Sequence, residues 1–455
     1  MNFVDEKMRS TIAEYIEDST EDMLSDLEGL IRIESVSSHP EKVKEALDYT
    51  LGIAGQYSFR TGAHANNRVG TVEMGEGDEC LGILSHVDVV PADPLEQWET
   101  PPFTPVLKDG NIFGRGAMDD KGMVIASIYA MKAVRELGLP LKKKVRLIIG
   151  TQEETRWDDM EEYIKTNPLP DYGFTPDGEF PIYNIEKGVC DVIMEFEKKK
   201  FLIDAPDEEK PYVVSLNGGS VVNAVPAKAE ALLSDGRTIT VYGKAAHSSM
   251  PNRGINALFE MRRELKNQGA GENIFTEILD MLFERFGDCE GKALSIYRKN
   301  EYYNGEYVHR NIFSPDVFTT DDDKISVLID VRFAYGTDEN EIIGCLSELA
   351  AGLGGTVRTS DVMPAVFVSR NKPFLKAMAD TYETVTGFKN SFETAYGASY
   401  AKAMPNTVSW GPIFPGERDT CHEPNEFIPI ENLKKCAEIF ANFIAEIALQ
   451  EESFR

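Results

Sequence analysis

CLGILSHVDVV, residues 80–90, is an apolar run that ends in a histidine and an aspartate two positions apart, His86 and Asp88. Its length and composition read as a buried strand. Downstream, Ile125, Ile128, Met131, Val134 and Leu137 recur at helical spacing until Gly138 and Pro140 stop them, and VRLIIG, residues 145–150, reads as the next strand. Apolar strands separated by amphipathic helices predict an α/β fold with a mostly parallel sheet covered by helices on both faces. In such sheets functional sites collect at the carboxyl ends of the strands.

From about Lys187 the texture changes to strand-like stretches (VIMEF, YVVSL, AEALL, TITVYG, ISVLIDVRF) with helical patterns near Ile255–Lys266 and Glu339–Ala351. Helical patterns return at Pro373–Thr386 and Ile430–Leu449, the last with Leu433, Phe440, Phe443, Ile444 and Ile447 as its apolar face. The expected division is a catalytic domain in two parts, residues 1–186 and 371–455, with an inserted α+β lid over 187–370.

The whole chain has 455 residues, 42% of them hydrophobic, and a formal net charge of -29. Such a surface repels phosphate backbones and anionic headgroups, which argues against nucleic-acid or membrane partners. The N-terminus lacks an apolar signal core, and no run reaches the ~18 apolar residues of a spanning helix, so a cytoplasmic protein is expected. Six cysteines are scattered without CxxC spacing, indicating buried free thiols and neither a disulfide framework nor a cysteine metal site.

Chemistry-bearing residues fall at the predicted strand ends and turns. His86 and Asp88 leave the same face of a strand, so the carboxylate can orient the imidazole of a metal ligand. GRGAMDDKG, residues 114–122, presents Asp119 and Asp120 at a helix start. There they serve equally well as ligands or as cap and dipole partners. GTQEET puts Glu153 and Glu154 directly after a buried strand, where carboxylates are costly unless paired or bound to a cation. One of the two can ligate while its neighbour acts as general base. Asp177 in TPDGEFP and His422 in DTCHEPNEF lie in turn-rich segments, and each alone reads as ordinary turn chemistry. Together His86, Asp119, Glu154, Asp177 and His422 offer two imidazoles and three carboxylates, a set suited to two zinc ions if one carboxylate bridges them. His247, in GKAAHSSMPNRGINA, sits in a loop of the lid, whereas His39, His64 and His309 lie outside any metal-like motif.

Taken in order, SHVDVVPA, PPFTP, KDG, FGRGAMDDKG, GTQEET, PDGEFP, AAHSSMPNRG, DVRF and CHEPNEF resemble the dinuclear zinc peptidase family of aminoacylases, desuccinylases, glutamate-releasing carboxypeptidases and bacterial dipeptidases. EETRWDDM, PDGEFP and HEPNEF bring the chain nearest to the family's bacterial dipeptidases, which act on Xaa-His and other dipeptides. The resemblance runs from about Leu27 to the C-terminus. It implies that His86 and Asp177 hold one zinc, that Glu154 and His422 hold the other, and that Asp119 bridges both, with manganese or cobalt as possible substitutes. Glu153 becomes the general base acting on the metal-bridging water, with Asp88 behind His86. His247 polarises the scissile carbonyl, Arg332 of DVRF grips the substrate carboxylate, and Asn223 in VVNAVP assists. The family's glycine-rich substrate loop departs here to Tyr396-Gly397-Ala398-Ser399, with Lys402 where arginine is usual; Gly397 is the retained substrate-binding position.

The function so implied is a zinc-dependent dipeptidase for unblocked dipeptides. An N-acyl amino acid deacylase would use the same residues, and a catalytically silent peptide-binding protein would lack a ligand or the base, all of which are present. A lid of this length argues for a self-sufficient monomer over a homodimer.

Overall fold

The computed structural model describes residues 3–198 and 210–455. Its contacts divide the chain into two compact units. The first comprises Met1–Asn184, Phe367–Glu393 and Ser399–Arg455, and the second Ile185–Val366 and Thr394–Ala398.

In the first unit the strands Arg60–His64, Val69–Met74, Lys144–Gly150, Cys80–His86, Tyr172–Thr175 and Thr407–Ser409 lie side by side in that order. Pairing is parallel in the centre, where Lys144–Gly150, Cys80–His86, Tyr172–Thr175 and Thr407–Ser409 run the same way. It is antiparallel toward the Arg60 edge. The parallel sheet expected from the sequence is thus the middle of a mixed one. The buried Cys80–His86 strand stops at His86, so Asp88 lies beyond the ladder.

The helix Lys121–Glu136 is buried along almost its whole length, as a helix at the centre of a large core should be, and packs on Ile430–Ala448. The latter buries Leu433, Phe440, Phe443, Ile444 and Ile447 as its spacing predicted. Phe174 of the sheet meets Trp410, Phe440 and Phe443 in one aromatic cluster. Helices Glu6–Asp18, Thr20–Ile31 and Pro40–Gln56 precede the first strand.

The second unit is a seven-stranded antiparallel sheet, ordered Thr238–Tyr242, Lys228–Leu233, Val213–Gly218, Ile312–Thr320, Lys324–Phe333, Gly188–Glu197, Thr356–Met363. Residues alternate between buried and half-buried along Gly188–Glu197, and the buried set packs with the helices Ala257–Asn267, Ile274–Phe286 and Glu339–Gly352. All six cysteines are free. Among the described residues no helix is long and apolar enough to cross a membrane.

Candidate metal centre

Three neighbouring parallel strands of the first unit deliver chemistry at their carboxyl ends. His86 closes Cys80–His86, Glu153 and Glu154 follow Lys144–Gly150, and Asp177 follows Tyr172–Thr175. His86 is fully buried. Its Nδ1 lies 2.9 Å from the Asp88 carbonyl oxygen, which turns Nε2 toward Asp119 Oδ1 at 3.1 Å and Asp177 Oδ2 at 3.8 Å. Its backbone N–H donates to Asp120 Oδ2 at 3.1 Å, a contact that gives Asp120 a supporting job.

The expectation that the Asp88 carboxylate orients His86 is met mainly by its backbone carbonyl; the carboxylate stands at 3.4 Å. That carboxylate chiefly braces the turn carrying the two glutamates. Its oxygens accept from Glu153 N at 3.2 Å, Glu154 N at 3.3 Å and Ser37 Oγ at 2.8 Å. The same turn is tied by the Trp157 indole donating to Glu153 O at 2.7 Å and by Asp159 accepting from Thr151 N at 2.7 Å.

Asp119 sits in the glycine-punctuated loop that enters Lys121–Glu136. Gly122 is required there, since a Cβ would come within 2.2 Å of the Ala117 carbonyl oxygen. The loop closes over the buried Glu426. One oxygen of its carboxylate accepts from Met118 N (2.9 Å) and Asp119 N (3.1 Å), the other from Gly116 N (3.1 Å) and Arg115 Nη1 (2.7 Å). Glu426 lies four residues after His422, so one segment both supplies a site histidine and anchors the loop of Asp119. His422 has a left-handed backbone (φ 63°), and its Nε2 reaches Asp119 Oδ2 at 3.0 Å and Glu154 Oε1 at 3.1 Å. Its side chain is 54% exposed, so the site opens to solvent on that side.

The electrostatics call for cations. Burial would raise the Asp119 carboxyl, but His422 and then His86 hold it well below the usual carboxylate range. Burial pushes Glu153 and Glu154 up, with Asp177 the next cause for Glu153 and Asp119 for Glu154; burial and then Asp119 push Asp177 up to about 8. His422 is raised to about 11 by Asp119 and Glu154. Carboxylates crowded together and largely withdrawn from water are expensive without positive charge. His86 Nε2, Asp119 Oδ1 and Glu153 Oε1 are buried atoms without a hydrogen-bond partner among the described residues. Ligand atoms of His86, Glu153 and Asp177, and of His86, Asp119 and Glu154, lie within 4.8 Å of one another. Two imidazoles and several carboxylates with orphaned donor atoms fit divalent metal ions.

The remaining expected site residues lie in the second unit. Asn223 is exposed with φ 68°, and its carbonyl accepts from Ser248 N at 2.9 Å beside the Ala224–His247 bridge. His247 Nδ1 accepts from Ser249 N at 3.1 Å, which leaves the proton of a neutral ring on Nε2. Burial and then the Arg332 guanidinium hold this imidazole below the ordinary histidine range. Arg332 is paired with Asp330, and Gly397 is exposed with open space around it. Glu426 escapes the sequence reading because the groups it meets lie about 310 positions away in the chain. Asp120, which the sequence offers as a ligand or helix cap, instead meets the His86 backbone 34 positions away. Trp157 acts locally, on the Glu153 carbonyl four residues back, through a contact that no motif announces.

The model of peptidase family M20/M25/M40 matches residues 82–446. A Bacillus subtilis (strain 168) protein described as "Putative dipeptidase YtjP" is 32% identical over 94% of this chain and 97% of its own. The crystal structure of aminoacylhistidine dipeptidase from Vibrio alginolyticus superimposes with a TM-score of 0.64 at 15% identity, covering 93% of this chain and 96% of that one. The Bacillus subtilis YXEP protein, described as a dinuclear metal binding peptidase, gives a TM-score of 0.55 at 12% identity, covering 94% and 98%.

Proposed function

The chain belongs to peptidase family M20/M25/M40 and is a metallopeptidase, and from that premise we propose that it is a dipeptidase, using two zinc ions to hydrolyse unblocked dipeptides. The observation that carries this reading is the convergence of His86, Asp119, Glu153, Glu154, Asp177 and His422, among which His86 Nε2, Asp119 Oδ1 and Glu153 Oε1 are buried without a hydrogen-bond partner among the described residues. His86 with Asp177, and Glu154 with His422, would hold the two ions, with Asp119 shared. Bound zinc would polarise the scissile carbonyl and make water acidic enough to lose a proton near pH 7.

Glu153 is the group left to move that proton. It takes a proton from the attacking water as the new C–O bond forms, then delivers it to the amine as the C–N bond breaks. Its Oε1 has no hydrogen-bond partner among the described residues, and Asp88 and Trp157 hold its backbone still. For the second unit we propose that His247 donates from Nε2 to the carbonyl oxygen as negative charge develops, with Asn223 assisting. Arg332 takes the C-terminal carboxylate, and Gly397 leaves room for substrate backbone. The relatives described as dipeptidases support the substrate class. A cytoplasmic monomer completes the reading; light scattering tests the monomer, and fractionation of the source cells tests the location.

Zinc-loaded protein should cleave Ala-His and Leu-Leu, lose this activity to a chelator, and leave Ala-Ala-Ala and N-acetyl-methionine intact. Cleavage of N-acetyl-methionine alone would move the assignment to a deacylase, and silence on every compound would remove the substrate claim.

A further inference from the structure

The strand Lys324–Phe333 changes character at Asp330. Up to Ile329 its residues alternate between buried Ile325, Val327 and Ile329, packed among the helices of the second unit, and partly exposed Ser326 and Leu328 on the opposite face. At Asp330 and Arg332 that opposite face becomes buried as well, with two charges on it. Burying an ion pair in a sheet costs desolvation that well-packed apolar residues would avoid, so stability alone does not account for the pair.

Its geometry is specific. Arg332 Nε and Nη2 donate to Asp330 Oδ1 and Oδ2 at 2.8 and 2.7 Å, a bidentate contact along one edge of the guanidinium. Nη1 lies 3.4 Å from the Tyr396 carbonyl oxygen, a long contact, and the Arg332 side chain keeps 9% of its surface accessible. A guanidinium has five N–H groups in a rigid fork, so anchoring the Nε edge fixes where the Nη1–Nη2 edge points. Asp330 is itself set by the sheet, paired across the strands with Ser314 and Asp191.

We infer that Asp330 is a positioning residue: it holds Arg332 by one edge so that the other edge is presented, already oriented, to the carboxylate of the substrate. This rests on the dipeptidase reading, in which Arg332 binds that carboxylate. It makes a prediction opposite in sign to simple electrostatics. A carboxylate beside Arg332 weakens the field felt by an anionic substrate, so on charge alone Asp330→Asn should lower KM. If orientation is the function, Asp330→Asn should raise KM, because the amide turns an N–H toward the guanidinium and releases the fork.

The experiment measures kcat and KM of the zinc-loaded enzyme for Leu-Leu and for Leu-Leu amide, in wild type, Asp330→Asn, Asp330→Glu and Arg332→Ala, with melting temperature and zinc content on each. The expected result is a KM for Leu-Leu raised at least about tenfold in Asp330→Asn with kcat within about threefold. Asp330→Glu, which keeps the charge and moves the fork by one methylene, should be intermediate and carries the test if the asparagine variant does not fold. An unchanged or lowered KM in a folded variant overturns the inference. Wild type that treats Leu-Leu and its amide alike, or an Arg332→Ala that leaves their ratio unchanged, instead overturns the carboxylate role of Arg332.

Discussion

Replacing Glu426 with glutamine changes no volume, yet it should be among the most damaging single substitutions in the first unit. The carboxylate faces four donors: Arg115 Nη1 and the backbone N–H groups of Gly116, Met118 and Asp119. An amide can keep one oxygen turned to Met118 and Asp119, but its NH2 then meets the guanidinium and the Gly116 N–H, donor against donor. Arg115 and Glu426 are both buried, so the charge left behind has no water to turn to. Breaking such a pair from one side costs about 3–5 kcal/mol. For a unit of this size that corresponds to a fall of about 6–20 °C in Tm, at ~2–4 °C per kcal/mol. Glu423, in the same segment, is the internal control, because its pairing with Arg418 is at the surface and contributes only ~0–1 kcal/mol. Calorimetry of Glu426→Gln, Glu423→Gln and wild type, all with chelator present so that metal linkage does not enter, measures the difference. A loss under about 1 kcal/mol in Glu426→Gln, or equal losses in both variants, would refute the view that this carboxylate organises the loop of Asp119.

Other substitutions separate the roles assigned around the site. Glu153→Gln should lower kcat by about 10²–10⁴-fold with zinc content unchanged; loss of zinc would show Glu153 to be a ligand in place of the base. Asp88→Asn should weaken zinc binding by about 10–100-fold, measured by competition with a chelating dye, because the amide turns a donor toward one of the two glutamate N–H groups it now accepts from. Asp316 has its carboxyl pushed up to about 7, first by burial, so folding favours its protonated form. Stability from this group is present in acid, below the ordinary carboxylate range, and is lost as pH rises toward 7 and beyond. Asp316→Asn should therefore gain stability over wild type at pH 8, by at most about 4 kcal/mol, and none at pH 4, as read by urea unfolding at the two values.

The parts of this structure that were legible in the sequence are those with local causes. The apolar run that ends at His86 pairs as a central parallel strand, and the carboxylates of GTQEET lie just past the end of the next strand, because period and polarity are read over a few residues. The helix over Pro373–Thr386 appears with the expected bounds. Ile312–Thr320 was not visible as a strand because Pro315 interrupts it, and the register slips between Pro315 and Val317. The bracing of the site was equally hidden. Glu426 meets residues about 310 positions away and the Asp88 carboxylate meets backbone about 65 positions away, so neither contact leaves a local pattern. His422 looked like any turn histidine, and its left-handed backbone agrees with that. Only its partners, Asp119 and Glu154, distinguish it.

The central claim is that these side chains form a site for two metal ions, and calorimetric titration of chelator-stripped protein with zinc tests it most directly. Two ions bound per chain in wild type, and fewer than two in Asp119→Asn, is the predicted result. Binding of one ion or none in wild type, or two in both proteins, would contradict it.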